Sequence, residues 1–273
     1  MSIASAHGGS ALQTAPTVLA LARREKARGL VRSAFPRRHV RVVSTRVPAD
    51  FAAALRATLV DAALVDVSGA SEETWKVAAL AREYPSIPFF GVVSQRASDA
   101  PALAHCASLE FADVLVDAVD DTAAREIVLR QTFSNRFADA LSEPPSQLSL
   151  SAPLQKSAWR VIVAHAGRPV QTLMLARALR VTREHLSRTF AAAGAPNLKR
   201  VIDLVRLIAA AELAKNPGYD LRDVARVLNF ASPSHLSATA QRIAGTKPAS
   251  LARLRTVDLI DRFVRGHGRS RGK

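Results

Sequence analysis

The stretch from Thr172 to Phe190 constrains the fold of this chain more than any other, because its apolar residues recur with helical spacing on both sides of a short break. The apolar positions that are expected to share one side are Leu173, Ala176, Leu179, Val181 and Leu186. Thr182 lies at the break, and its hydroxyl can accept a hydrogen bond from the free amides of a following helical turn. The pattern therefore predicts two short helices joined by a tight turn.

The second predicted helix presents polar and basic side chains to solvent, and these are Arg183, His185, Ser187 and Arg188. A helix pair that buries one side and exposes a polar, basic second helix has the design of a helix-turn-helix unit. Side chains of these types reach base edges or phosphates, so we predict that double-stranded DNA is the partner. The alternative for each residue is an ordinary solvated helix face.

The same pattern returns later in the chain, after a long amphipathic helix predicted over Leu198–Lys215. The run VARVLNFASPSHLSAT aligns with LARALRVTREHLSRTF once one extra residue is allowed in its turn. Asp220 is the predicted N-cap of the first helix of this unit. Ser232 is the predicted N-cap of the second helix, and Pro233 takes its first helical position. The expected DNA-binding residues of this second unit are Ser232, Ser234, His235 and Gln241, with Arg242 directed to phosphate.

The charge of the chain supports this interpretation of its second half. The formal net charge is +15, yet residues 1–149 carry 16 Lys and Arg against 16 Asp and Glu, whereas residues 150–273 carry 22 against 7. A neutral half joined to a strongly basic half indicates a polyanionic partner for the second half alone. An acidic membrane surface, or solubility alone, is the alternative explanation of this excess.

The first half alternates β-rich runs with helical stretches. The predicted strands are Thr17–Ala22, His39–Thr45, Ala62–Val67, Pro88–Ser94 and Val114–Val116, and the predicted helical stretches are Phe51–Val60, Glu72–Glu83 and Thr122–Ala140. Largely apolar strands separated by helices predict a parallel sheet covered on both faces. The size fits a flavodoxin-like doubly wound domain.

Two helix-turn-helix units joined by one long helix resemble the DNA-binding domain of AraC-type transcription regulators. The marks of the resemblance are Ser187-Arg188-Thr-Phe190 with Gly194, Arg206-Leu207 with Ala210, Val224-Ala225 with Phe230, His235-Leu236, Gly245 and Pro248. The second unit departs from the family pattern, since Ala238 replaces the usual Arg, Ala240 the usual Phe and Asn229 the glycine of the turn. The resemblance thus implies that the first unit dominates base reading.

The first half resembles the receiver domain of bacterial response regulators. The runs Asp61–Asp66, Pro88–Ser94 and Ala112–Ala118 are similar to the third, fourth and fifth strands of that family. Asp66 stands where the family accepts a phosphoryl group, but Ala22-Arg23-Arg24 replaces its two acidic Mg²⁺ ligands and Asp117-Ala118 replaces its Lys-Pro. The resemblance implies a scaffold without phosphorylation chemistry, in which Asp66 is a vestigial phosphoacceptor paired with Arg23 or Arg24.

The sequence therefore predicts an α/β flavodoxin-like, receiver-like N-terminal domain and an all-α C-terminal domain with two helix-turn-helix units. The predicted segments are a flexible tail (1–15), the receiver-like domain (16–141), a hinge-like linker rich in Pro and Ser (142–157), the AraC-type DNA-binding domain (158–257) and a basic tail (258–273).

The function predicted from these domains is that of a bacterial, cytoplasmic, sequence-specific transcription regulator that catalyses no reaction and needs no metal or cofactor. A second copy of the chain, bound through the N-terminal domain, and RNA polymerase are the further partners considered. No apolar run is long enough to predict a membrane span. The alternatives are a response regulator controlled by phosphorylation of Asp66 and a non-specific architectural DNA-binding protein.

Overall fold

A computed structural model describes residues 15–191 and 194–269, so the predicted N-terminal tail lies outside the described residues except for Ala15. The first domain contains five strands and six helices. The strands are β1 (Thr17–Leu21), β2 (Arg41–Thr45), β3 (Ala62–Asp66), β4 (Phe89–Val93) and β5 (Asp113–Val116). The helices are α1 (Glu25–Ala34), α2 (Pro48–Ala57), α3 (Glu72–Ala78), α4 (Ala100–Ser108), α5 (Ala124–Gln131) and α6 (Phe133–Ala140).

The five strands form one parallel sheet in the order β2-β1-β3-β4-β5. This is the strand order of flavodoxin-like doubly wound domains, and it confirms the predicted fold class. Strands β1, β3 and β4 are buried along their whole length, because helices cover both faces of the sheet. Helices α1 and α4 were not predicted.

The predicted closing helix Thr122–Ala140 is instead two helices, and a buried carboxylate causes the break. Thr132 leaves the helical conformation with ψ at 147°, and the amide of Phe133 donates to the carbonyl of Asp61 at 2.9 Å. The fully buried carboxylate of Asp61 accepts from both the amide and the hydroxyl of Ser134, so it receives the first turn of α6. A contact between residues so distant in sequence leaves no local pattern.

The second domain is helical. Its elements are α7 (Pro153–Ala164), α8 (Thr172–Ala178), α9 (Arg183–Ala191), α10 (Leu198–Ala214), α11 (Leu221–Val227), α12 (Pro233–Ala244) and α13 (Thr256–Arg269). Helix α10 lies at the centre, with eleven of its seventeen residues buried. None of the helices in the described part of the chain is long and apolar enough to span a membrane. Nor do three His, Cys, Asp or Glu side chains come together there as a set of metal ligands.

The predicted linker and basic tail differ from the structure. Residues 153–157 form the first turn of α7, because Pro153 sits at its first position and Gln155 Oε1 accepts from the amide of Ala152. Leu148 and Leu150 are buried in the shared core, which leaves no free hinge. The tail expected from residue 258 is mostly helix α13, because Leu259, Ile260 and Phe263 form a buried stripe at helical spacing.

The turn between α10 and α11 docks on the first domain. Asn216 exchanges hydrogen bonds with Ser86 at 2.9 and 2.7 Å. The hydroxyl of Tyr219 donates to the carbonyl of Leu55 at 2.9 Å, and that of Tyr84 donates to the carbonyl of Gly218 at 2.9 Å. The two tyrosine rings meet edge to face at 4.8 Å. The two domains therefore share one continuous core.

A buried ion pair supplies a second link between the domains. Arg168, which follows α7, donates to the carboxylate of Asp61 at 2.6 Å and to the hydroxyl of Ser134 at 3.1 Å. Asp61 also accepts from the amide of Thr17 at 2.7 Å. One carboxylate thus joins the start of β1, the start of α6 and the helical domain.

Replacement of Gly218 by Ala is expected to weaken the docking of the two domains. An added Cβ would lie 2.4 Å from Cζ of Tyr84, whose ring is held by Tyr219, and overpacking of this kind costs about 1–3 kcal/mol of unfolding free energy. Urea unfolding measures the change. The matched control is Gly29→Ala in α1, where an added Cβ meets nothing within 4 Å and stability should rise by about 0.5–1 kcal/mol. Equal effects of the two substitutions would contradict the docking geometry.

Candidate nucleic-acid interface

The first helix-turn-helix unit consists of α8 and α9, and its turn has the geometry that the sequence predicts. The hydroxyl of Thr182 accepts from the amide of His185 at 3.1 Å, so Thr182 caps α9. Arg180, in the turn, takes a left-handed conformation with φ at 55°. Leu186 and Phe190 are fully buried, which fixes the rotation of α9 about its axis.

With α9 in this orientation, its four predicted DNA-binding residues are exposed to solvent, and these are Arg183, His185, Ser187 and Arg188. One part of the predicted apolar side was wrong, because Leu173 is 47% exposed and Leu175 takes the buried position. Helix α8 carries consecutive apolar residues from Leu173 to Ala176, so the pattern alone permits two rotations. The buried side is the one that packs on α7 and α9.

The second unit consists of α11 and α12, and its caps are also those predicted. Asp220 caps α11 by accepting from the amide of Asp223 at 2.8 Å, and Ser232 caps α12 by accepting from the amide of His235 at 3.1 Å. Asn229 has φ at 51°, which an asparagine tolerates in place of glycine. The local chemistry of the turn therefore survives the departure from the family pattern.

The exposed residues of α12 differ from those of α9 in what they are free to contact. Ser232, Ser234, His235 and Gln241 are exposed, but the hydroxyl of Ser232 already serves as the cap. Arg242 is paired with Asp203 of α10 at 3.0 Å. Ala238 offers solvent only a methyl group where α9 has Arg188. The polar groups available on α12 are thus fewer and shorter than those on α9.

Arg206 of α10 joins the two units, a role that the sequence pattern did not reveal. Its guanidinium lies 4.0 Å from the ring centroid of Phe230 and donates to the carbonyls of Gly167, Leu228 and Asn229. Burial lowers the pKa of this arginine below its ordinary value. The signal in the sequence was an arginine that lies between the apolar residues Val205 and Leu207 of a long helix.

The carboxyl ends of the sheet strands hold a second candidate site, which contains Asp66, the candidate phosphoacceptor of the sequence. Asp66 and Asp117 are almost fully buried, and Arg24 lies between them at 2.5 and 2.7 Å. Arg24 also donates to the hydroxyl of Ser94, which in turn donates to Asp117. Burial lowers the pKa of Arg24, but the hydrogen bonds to Asp66 and Asp117 outweigh it, so the pKa lies above its usual value.

The structure shows which of the two predicted arginines, Arg23 or Arg24, pairs with Asp66. Arg24 pairs with Asp66, whereas the guanidinium of Arg23 reaches the hydroxyls of Ser71 and Thr74 at 3.5 and 3.3 Å. The guanidinium of Arg24 lies between the two carboxylates, and both oxygens of Asp66 accept from Arg24, one from its backbone amide and one from its side chain. Asp66 therefore has a structural contact in place of a free nucleophilic oxygen.

The comparisons with known proteins give one family match and several similar solved structures. Residues 175–253 match the model of a family described as a helix-turn-helix domain. No curated protein matches the chain at a significant level. Among solved structures, a response regulator from Thermotoga maritima has 18% identity, covers 43% of this chain and 98% of its own, and gives a TM-score of 0.38.

Two longer solved structures extend over more of the chain. The response regulator StyR has 14% identity, a TM-score of 0.39, and coverage of 70% of this chain and 98% of its own. Full-length FixJ from B. japonicum has 14% identity, a TM-score of 0.35, and coverage of 74% and 98%.

Substitution of Arg24 by Ala is expected to destabilise the first domain strongly. It leaves Asp66 and Asp117 buried without their cation, and loss of one partner of a buried ion pair costs about 3–5 kcal/mol. The partial exposure of Arg24, 24% of its side chain, places the expected value at the lower end of that range. Denaturant unfolding gives the measurement. Arg23→Ala is the control, and it should change the unfolding free energy by less than about 0.5 kcal/mol.

Incubation with a small phosphodonor and Mg²⁺ is expected to leave Asp66 unmodified. The reason is that Arg24 donates to both oxygens of the Asp66 carboxylate and that its guanidinium lies between Asp66 and Asp117. Intact-protein mass spectrometry measures the result, with Asp66→Asn as the blank. An increase of one phosphoryl mass in the native chain that the blank lacks would contradict this expectation.

Proposed function

We propose that this chain, which joins a receiver-like α/β domain to a helix-turn-helix domain at residues 175–253 that resembles those of AraC-type regulators, regulates transcription by binding specific double-stranded DNA sequences. Helix-turn-helix domains of this type are the DNA-binding domains of transcription regulators. The observation that carries the proposal is the exposed face of α9, which presents Arg183, His185 and Arg188 to solvent. The buried side chains of Leu186 and Phe190 fix the orientation of this helix.

The spacing of the two units supports a binding mode with two successive major grooves. Helix α10 has seventeen residues, which corresponds to a length of about 25 Å at 1.5 Å per residue. It separates the two units, and Arg206 contacts the turn of the second one. Major grooves on one face of a duplex are about 34 Å apart, so a rigid connector of this size suits one groove for each unit.

The difference between the two recognition helices supports unequal roles. Helix α9 offers two arginines and a histidine with no carboxylate partner among the described residues, whereas Arg242 of α12 is held by Asp203. Bidentate arginine contacts to guanine are the commonest specific contacts in the major groove. We therefore assign base reading mainly to α9, and supporting contacts to Ser234, His235 and Gln241.

The N-terminal domain has a separate proposed role, namely contact with a second copy of the chain or with RNA polymerase. It exposes Leu103 on α4 and Val119 after β5, and Arg24 closes the site at which phosphorylation would act. Paired half-sites in mapped genomic binding sequences would support the second copy.

Substitution of Arg188 by Ala is expected to weaken binding to the preferred duplex by about 1–3 kcal/mol and to relax specificity at one base position. Mobility-shift titrations against the selected sequence and its single-base variants measure both effects. Arg160→Ala on α7, an exposed arginine paired with Glu143, removes the same charge away from α9 and should leave both unchanged. Equal affinity of the native chain for all duplexes would instead favour a non-specific architectural protein.

A further inference from the structure

Arginine side chains cluster where α10, α12 and α13 meet, beyond the base-reading face assigned to α9. Arg242, Arg262 and Arg265 line a cleft of about 420 Å³, together with Gln241, Gly245 and Gly266. Its lining contains no acidic side chain of the described residues. An added Cβ at Gly245 or Gly266 would meet nothing within 4 Å, so the cleft is open to an incoming group.

The cluster has more positive charge than its neighbours balance. Asp203, at 3.0 Å from Arg242, is its one carboxylate contact among the described residues. Arg200 of α10 lies over the ring of Phe263 with its guanidinium 5.0 Å from the ring centroid. Burial and the neighbouring charge of Arg242 both lower the pKa of Arg200.

Arg200 also has unsatisfied hydrogen-bonding groups. Its Nε and Nη2 atoms are buried without a partner, and they are the only such side-chain atoms in the described part of the chain. A buried donor without an acceptor costs free energy, and buried polar groups in folded proteins almost always find a partner. These atoms are shielded from solvent, and Arg200 does not line the cleft, so its contribution to the cluster is its positive charge. An anion bound in the cleft would supply the missing negative charge.

We propose that the cleft lined by Arg242, Arg262 and Arg265 binds a backbone phosphate of double-stranded DNA. Guanidinium groups form charge-assisted, often bidentate hydrogen bonds with phosphate. Gln241 and Arg242 belong both to the exposed side of α12 and to the cleft. A duplex that holds α12 in its groove therefore brings the flanking strand towards α13.

The inference rests on the proposed function and extends it. It assigns to α13, which lies beyond the matched residues 175–253, a role in DNA affinity. Phosphate contacts position a protein on the duplex and carry no sequence information directly. The cluster thus strengthens binding to all sequences alike, whereas Arg188 of α9 discriminates among them.

The test is the double variant Arg262→Ala with Arg265→Ala, chosen because both side chains are exposed and circular dichroism can verify the fold. Affinity for the preferred duplex and for random DNA is measured over a series of salt concentrations. The slope of log K against log salt should become shallower by about 1, the value for one lost phosphate contact. The ratio of specific to random affinity should stay the same.

The control is Arg37→Ala with Arg38→Ala, which removes the same charge from exposed positions of the first domain and should leave the slope unchanged. A double variant in α13 whose slope equals that of the native chain overturns the inference, while an effect of Arg188→Ala in the same assay preserves the proposed function. Inorganic phosphate provides a further arm. Thermal stabilisation by phosphate that the α13 variant loses, with an unchanged DNA slope, would assign the cluster to a small free anion and also overturn the inference.

Discussion

The burial of α10 is the constraint on which the helical domain depends. Its buried residues contact α7 and α9 on one side and α11, α12 and α13 on the other, so neither helix-turn-helix unit has a core of its own. Arg206 adds directional hydrogen bonds to this apolar packing. Its guanidinium donates to the carbonyl of Gly167, which precedes α8, and to two carbonyls in the turn between α11 and α12. The relative orientation of the two recognition helices is therefore fixed by α10 and Arg206, which the short loops alone could not do.

The close approach at Gly167 shows how tightly this relation is set. An added Cβ there would lie 2.4 Å from the Cβ of Ala209, and φ at 82° is itself a conformation that favours glycine. The chain before α8 can thus pass directly over α10. Small residues at Ala209 and Ala210 on α10 permit the contact.

The charges at the carboxyl ends of the strands differ from those that the resemblance to receiver domains leads us to expect. The resemblance expects acidic residues after β1 and a lysine after β5, but this chain has Arg24 and Asp117 at those places, and the two side chains pair across the site. An opposite-charge contact therefore joins these two positions, with the cation after β1 and the carboxylate after β5. The site thus holds together the ends of β1, β3, β4 and β5.

The features that the sequence predicted correctly depend on neighbours in the chain. The caps at Thr182, Asp220 and Ser232 are contacts over three residues, and the strands follow from short apolar runs. The break at Thr132, the pairing of Arg168 with Asp61 and the burial of α13 depend on residues far away in sequence, so local periodicity could not reveal them. The same reasoning explains why the prediction for Leu173 was wrong, since two rotations of α8 about its axis fit its apolar pattern. Which candidates on α9 and α12 touch DNA stays a prediction.

The docking of Tyr219 and Gly218 on Tyr84 and Leu55 has a consequence for how such a chain can evolve. The two halves meet through buried aromatic rings and backbone carbonyls, so a recombination that exchanged one half for a homologous domain would place mismatched surfaces together. Substitutions on the α2 side of the contact must be matched by substitutions in the turn after α10. The two domains are therefore expected to be inherited together and not to be exchanged separately by recombination.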